Sequence, residues 1–155
     1  MWRELIRECH ADLEPIAGED PDPEFFAGVP PGELASVERQ LGVQLPGSLS
    51  SLLAETNGAY AVFGTRLIWP TGEIVRRNRE MRTAPRYQSG YMPFEHLLFF
   101  ADAGVDGIQF AFGIIQEAIE REDVCAWNPY DDSREWKAPS LKTYIEWWLD
   151  GKIKV

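Results

Sequence analysis

Apolar side chains recur at Leu141, Tyr144, Ile145, Trp148 and Leu149, the spacing of one face of an α-helix. Ser140 stands where an N-cap belongs and Gly151 follows the last turn. The same period places Trp2, Leu5, Ile6, Cys9 and Leu13 on one face, so a helix is expected over 2–13, ended or bent by Pro15. Leu34, Val37 and Leu41 predict a third helix, with Gly42 as its C-terminal cap. Leu49, Leu52 and Leu53 predict a fourth, with Pro46 in its first turn and Asn57-Gly58 stopping it, since both residues tolerate positive φ.

The pattern then changes. Short apolar runs rich in aromatic and β-branched residues predict strands at "AYAVFG" (59–64), "RLIW" (66–69), "HLLFFA" (96–101), "GIQFAFGI" (107–114) and "DVCAW" (123–127), with a short one at "EWKA" (135–138). Pro70 breaks the second run, and Thr71 can then cap a helix through Ile74, Val75 and Asn78. Residues 17–33, rich in proline, glycine and acid, read as a loop pinned by Phe25 and Phe26. Helices, then mostly consecutive strands with one inserted helix, then a helix favour an α+β fold. The expected architecture is a mostly antiparallel sheet flanked by helices, in a single domain over 1–155.

Composition narrows the function. The chain carries 25 acidic and 15 basic residues, a net charge of −10. That argues against general affinity for nucleic acid or an anionic membrane and suits a basic partner. One window departs from it: Arg76, Arg77, Arg79, Arg82 and Arg86 stand against only Glu80, so residues 76–86 are +4 and the remainder is −14. A solvated helix face paired with acids is the plain reading, and an anion or partner contact is the functional one. No apolar run is long enough to span a bilayer and the charged start has no signal core, so a cytoplasmic protein is expected. Cys9 and Cys125 then read as free thiols.

The loop Asp102-Ala-Gly-Val-Asp-Gly107 invites three chemical readings. Against the calcium pattern D-x-[DN]-x-[DN]-G-x5-E, Asp102, Asp106 and Gly107 fit, but Gly104 and Gly113 stand where ligands belong. A catalytic carboxylate pair would need burial that an exposed turn does not supply. A hairpin turn explains the same residues by conformation alone. With only His10 and His96, no zinc spacing exists, and no GxSxG, Walker A or GxGxxG sequence is present. Neither an enzyme nor a cofactor is expected. Tyr87, Tyr91 and Met92 around Gly90 read either as core or as an exposed aromatic contact.

"VERQLGVQLPGSLSSLLAETNGAY" resembles the opening motif of the SUKH superfamily, matched by Glu38, Leu41, Gly42, Leu45, Pro46, Leu52, Leu53, Asn57 and Gly58. "IWPTGEIVRRN" resembles its strand-to-helix step, with Ile74 and Asn78 in place, and "LLFFADAGVDGIQFAFGI" its hairpin. "VCAWNPYDDSREWKAPSLKTYIEWWLDG" resembles its ending of strand, acidic loop, short strand and helix. The resemblance spans residues 33–151 and leaves 1–32 as an N-terminal helix and loop extension.

The resemblance implies a non-enzymatic α+β domain. Bacterial members are mostly immunity proteins that neutralise a cognate toxin, often a nuclease or deaminase, and fungal relatives are interaction proteins in cell-wall regulation. A nuclease toxin with a basic channel would gain a faster on-rate from an acidic partner. The expected partner-binding residues are Asp102, Asp106, Asp131, Asp132 and Glu135, with Tyr130 and Trp136 as aromatic anchors.

Overall fold

A computed structural model describes residues 1–13, 22–61, 65–115 and 118–155. The elements are α1 (Trp2–Ala11), β1 (Glu24–Phe25), α2 (Pro31–Leu41), α3 (Gly47–Glu55), β2 (Ala59–Tyr60), β3 (Arg66–Ile68), α4 (Thr71–Thr83), α5 (Pro85–Gln88), β4 (Leu97–Asp102), β5 (Gln109–Gly113), β6 (Val124–Asn128), β7 (Ser133–Ala138) and α6 (Leu141–Leu149). The expected α+β class is observed, with the strands divided between two antiparallel sheets in the orders β1-β2-β3 and β4-β5-β6-β7. The sheets are stitched where the Trp69 N–H donates to the Phe100 carbonyl at 2.8 Å. The predicted end at Pro15, residues 17–21 of the predicted loop and residues 62–64 of "AYAVFG" lie outside the described residues.

β4 is buried at every position from Leu97 to Ala101 because both of its faces are covered. On one face Phe100 stacks on Phe112 at 4.5 Å, and Phe110 meets Tyr144 and Trp148 of α6. The Tyr144 hydroxyl, fully buried, donates to the Leu67 carbonyl and ties α6 to the first sheet. On the other face Phe99 and Trp127 close around Phe94. α4 docks along β4 through Asn78, whose amide donates to the Phe99 carbonyl at 2.8 Å and accepts from the Phe99 N–H at 2.9 Å. A side chain thus stands in for a neighbouring strand.

α1 is part of the same body. Trp2 and Ile6 are buried, and the Trp2 indole N–H donates to Ser51 Oγ at 2.9 Å. The Glu55 carboxylate accepts from the backbone N–H groups of Trp2 and Arg3, satisfying donors that a helix start leaves open. Arg3 answers by donating to the carbonyls of Glu55 and Phe26.

Several local expectations change. Ser140 caps α6 as expected, accepting from the Thr143 N–H. Thr71, however, is not the cap of α4: Asn57 Oδ1 accepts the Thr71 N–H at 2.8 Å from the preceding loop. At the end of α3 only Gly58 has positive φ, +90°, and a Cβ there would stand 2.8 Å from the Pro70 nitrogen. Asn57 is kept for its side chain, not for its backbone freedom. Two elements were not expected: β1 inside the predicted loop and α5, which carries Tyr87. Both are shorter than any periodicity can register. Cys9 and Cys125 are free and half-buried.

Candidate functional site

The register of the second sheet sets four polar or amphipathic side chains in a row. Arg134 of β7 faces Trp127 of β6, Trp127 faces Gln109 of β5, and Gln109 faces Asp102 of β4. Directly paired residues point to the same side of a sheet, so the row lies on one face.

Both ends of the row are anchored. Asp102 accepts the Trp69 indole N–H at 2.6 Å, pairs with Arg66 at 3.0 Å and accepts the Gly104 N–H at 2.9 Å. Asp132 accepts from the Trp127 indole at 2.8 Å, the Met92 N–H at 2.8 Å and Arg134 at 3.0 Å. Its backbone sits at φ +59°, a conformation aspartate tolerates better than most residues. Burial pushes the Asp132 carboxyl up, but the Met92 N–H, the Trp127 indole and Arg134 outweigh it and hold the group below its ordinary range.

Gln109, in the middle, is different. It is 5% exposed, and its Oε1 has no hydrogen-bond donor among the described residues. Gln109 lines a cleft of about 950 Å³. The 103–108 loop between β4 and β5 forms one wall, and Arg77 of α4 with Arg86 and Tyr87 of α5 forms another. Tyr87 and Tyr91 close the end, packed half-buried against Phe94 and Trp127 with ring centroids 5.3–6.5 Å apart. They resolve as part of the core, while Met92 beside them is 66% exposed.

The arginine stretch is paired mostly within its own helix. Glu73 holds Arg66, Arg76 and Arg77, and Glu80 holds Arg76 and Arg86. Burial raises Glu73, but hydrogen bonds from Arg76 and Arg77 and the charge of Arg76 and Arg66 bring it below the ordinary value. Arg82 turns inward instead, donating to the carbonyls of Leu41 and Leu97, and burial lowers its pKa.

The seven expected contact residues fall into three settings. Asp102 and Asp132 are half-buried and engaged in the anchors above. Asp106, Tyr130 and Asp131 are exposed at one end of the sheet. There the β4–β5 loop meets the β6–β7 turn: the Pro129 ring lies 3.0 Å from where a Gly107 Cβ would stand, and Tyr91 Oη donates to the Pro129 carbonyl. Asp106 has φ +54°, as the turn reading requires, and Asp131 Oδ1 accepts the Ser133 N–H. Glu135 and Trp136 lie on β7, the outer strand of its sheet, away from that junction. Glu135 pairs with Lys137, and Trp136, 57% exposed, donates to Asp123 and packs near Trp147.

Gln109 was not singled out from the sequence, and Arg77 was named only as one of the arginine stretch, with an anion or partner contact as its functional reading. A polar residue inside "GIQFAFGI" is the signal that was there to read, since a strand buried on both faces has no place for an amide without a task.

The motif residues have structural work. Glu38 accepts the Leu45 N–H at 2.9 Å, Asn57 holds the start of α4, and Asn78 fastens α4 to β4. Two antiparallel sheets held by these contacts and flanked by helices define an α+β domain of the SUKH type. The family model described as SMI1-KNR4 cell-wall matches residues 31–145, and the chain belongs to that family within the SUKH superfamily. A comparison with curated proteins gives no match. Among the described residues no helix is long and apolar enough to cross a membrane.

Proposed function

We propose that this chain is a non-enzymatic immunity protein that binds and neutralises a cognate protein toxin. Membership of the SUKH superfamily is consistent with immunity or regulatory roles. The observation that carries the reading is the end of the second sheet. Tyr130 (82% exposed), Val105 (53%) and Met92 stand there with the unburied acids Asp106 and Asp131. The Met92 N–H bond to Asp132 and the Pro129 contacts bring their three loops together. Large apolar groups rimmed by acid, on a chain of net charge −10, match a partner with a basic surface. A toxin acting on nucleic acid, such as a nuclease or deaminase, has that surface.

Co-expression with the product of the neighbouring gene tests the proposal. Rescue from its toxicity, with a complex that survives gel filtration, is the expected result. Rescue and complex should both weaken when Tyr130→Ala is combined with Asp106→Asn and Asp131→Asn. Absence of rescue and of complex would transfer the reading to a regulatory protein of the same fold with a cellular partner.

A further inference from the structure

We infer that β7, the outer strand of the second sheet, is a homodimer interface: it pairs antiparallel with β7 of a second copy of the chain, about a two-fold axis at Trp136. The inference goes beyond the toxin-binding reading and does not depend on it.

The first observation is an open edge. β7 pairs with β6 on one side only. Among the described residues nothing outside β6 bonds the main chain of residues 134–138. An unpaired row of N–H and C=O groups is a template for another strand, and natural edges are protected by short length, bulges and charge. β7 has six residues, an extra residue at Lys137 between the partners of Cys125 and Val124, and charges at Arg134, Glu135 and Lys137. Against this protection stands Trp136, 57% exposed, with Trp147 of α6 at 6.3 Å between ring centroids. Tryptophan is enriched where partners meet and is a poor choice for a solvated edge.

The second observation is that the charges of β7 complement a copy of themselves. In an antiparallel pair, directly opposed residues turn their hydrogen-bonding groups the same way, and that direction alternates along the strand. Two identical strands related by a two-fold axis therefore set one residue against its own copy. Centring the pair on Arg134, Glu135 or Lys137 would set like charges face to face, which is destabilising. Centring it on Trp136 sets indole against indole. The same register sets Glu135 against Lys137 of the copy and Lys137 against Glu135 of the copy, two opposite-charge pairs. Arg134 falls opposite Ala138, which carries no charge. Glu135 and Lys137 already share one side of the strand, with Oε2 and Nζ 3.2 Å apart. In the pair, two acids and two bases then alternate. Charge that deters an unrelated strand does not deter this one.

Such a contact uses up the same edge on both chains and closes at a dimer. The ladder is short, so a weak dimer is expected, with Kd on the order of 10–100 µM.

Sedimentation equilibrium of the full chain tests the inference, in about 0.3 M salt so that the net charge of −10 is screened. The expected result is a rise with concentration from the monomer mass toward twice that mass. Trp136→Thr should weaken the dimer about tenfold. Glu135→Lys and Lys137→Glu should each abolish it when measured alone, because each sets like charges across the axis. An equimolar mixture of those two variants should regain it, since acid then faces base at both positions. Damage to the fold cannot produce recovery on mixing. Lys137 also donates to the Lys154 carbonyl. The two exchanges combined in one chain therefore serve as a second restoring variant, with a circular-dichroism melt recorded for each protein. A monomer at every concentration would overturn the inference. A dimer indifferent to Trp136→Thr and Glu135→Lys would move the interface off β7. Recovery by neither the mixture nor the combined exchange would overturn the register at Trp136. None of these readings involves a toxin.

Discussion

Two buried amides in this protein should respond to the same kind of substitution with opposite signs. Asn78 is fully engaged: its Nδ2 donates to the carbonyls of Ile74 and Phe99, and its Oδ1 accepts the Phe99 N–H. Asn78→Leu strips partners from buried backbone groups. An unsatisfied buried group costs about 1–3 kcal/mol, so losing these contacts together should destabilise by about 3 kcal/mol or more. Among the described residues Gln109 makes no such contact, and its Oε1 already bears the desolvation cost. Gln109→Met removes the orphan at nearly constant volume and should stabilise the fold by about 1 kcal/mol. For a domain of this size that is an increase in Tm of about 2–4 °C. Urea denaturation of both variants, followed by tryptophan fluorescence, decides the matter. The expected pair is a higher midpoint for Gln109→Met and a much lower one for Asn78→Leu, with similar slopes. A clear loss of stability in Gln109→Met would refute the reasoning, since it would mean that Gln109 contributes to the fold like Asn78.

Asp132→Ala should destabilise by about 2–4 kcal/mol, because the Trp127 indole, Arg134 and the Met92 N–H lose one shared acceptor; Asp132→Asn should cost less, as it keeps an acceptor and tolerates φ +59°, and chemical denaturation orders the two. Stability should fall as the pH drops below about 4.5: Glu55, Glu73 and Asp132 are each raised by burial but lowered further by hydrogen bonds and cationic neighbours, so their contribution is complete above the unfolded carboxylate pKa and lost as the pH falls through the folded values, which Tm measured from pH 7 to pH 3 will show or refute. Trp2→Ala should cost about 3–5 kcal/mol although Trp2 lies outside the matched family segment, because its ring is buried and its N–H is bonded to Ser51; thermal melts check it. Desolvation pushes the Cys125 thiol up to about 11, so iodoacetamide labelling of the native chain at pH 8 should be slow and should accelerate on unfolding.

The helices were legible because periodicity records burial, and burial decides them. Leu141, Tyr144, Ile145 and Leu149 were placed on one face by spacing and all four are buried. The hairpin was legible because Asp106 and Gly107 take the positive φ values that its turn needs. What could not be read is what depends on pairing between distant segments. Nothing along the chain says that Asp102 and Asp132, which look like free loop acids, are held by Trp69 and Trp127. Nor does it say that Asn57 starts a helix 14 residues later. The arginine stretch shows the same limit within one element. Spacing put its charges on a helix, but only the fold turns Arg82 inward and sets Arg77 against Glu73 and the Trp69 ring.

The contact surface proposed at the end of the second sheet makes a kinetic prediction. Long-range charge accelerates encounter without distinguishing partners. If Asp106 and Asp131 face a basic partner, raising the salt concentration should slow association, and Asp106→Asn with Asp131→Asn should lower the rate at low salt. Tyr130, 82% exposed in the free protein, would act after encounter. Tyr130→Ala should then leave the association rate almost unchanged and speed dissociation. An association rate that does not respond to salt would remove the loop acids from the encounter.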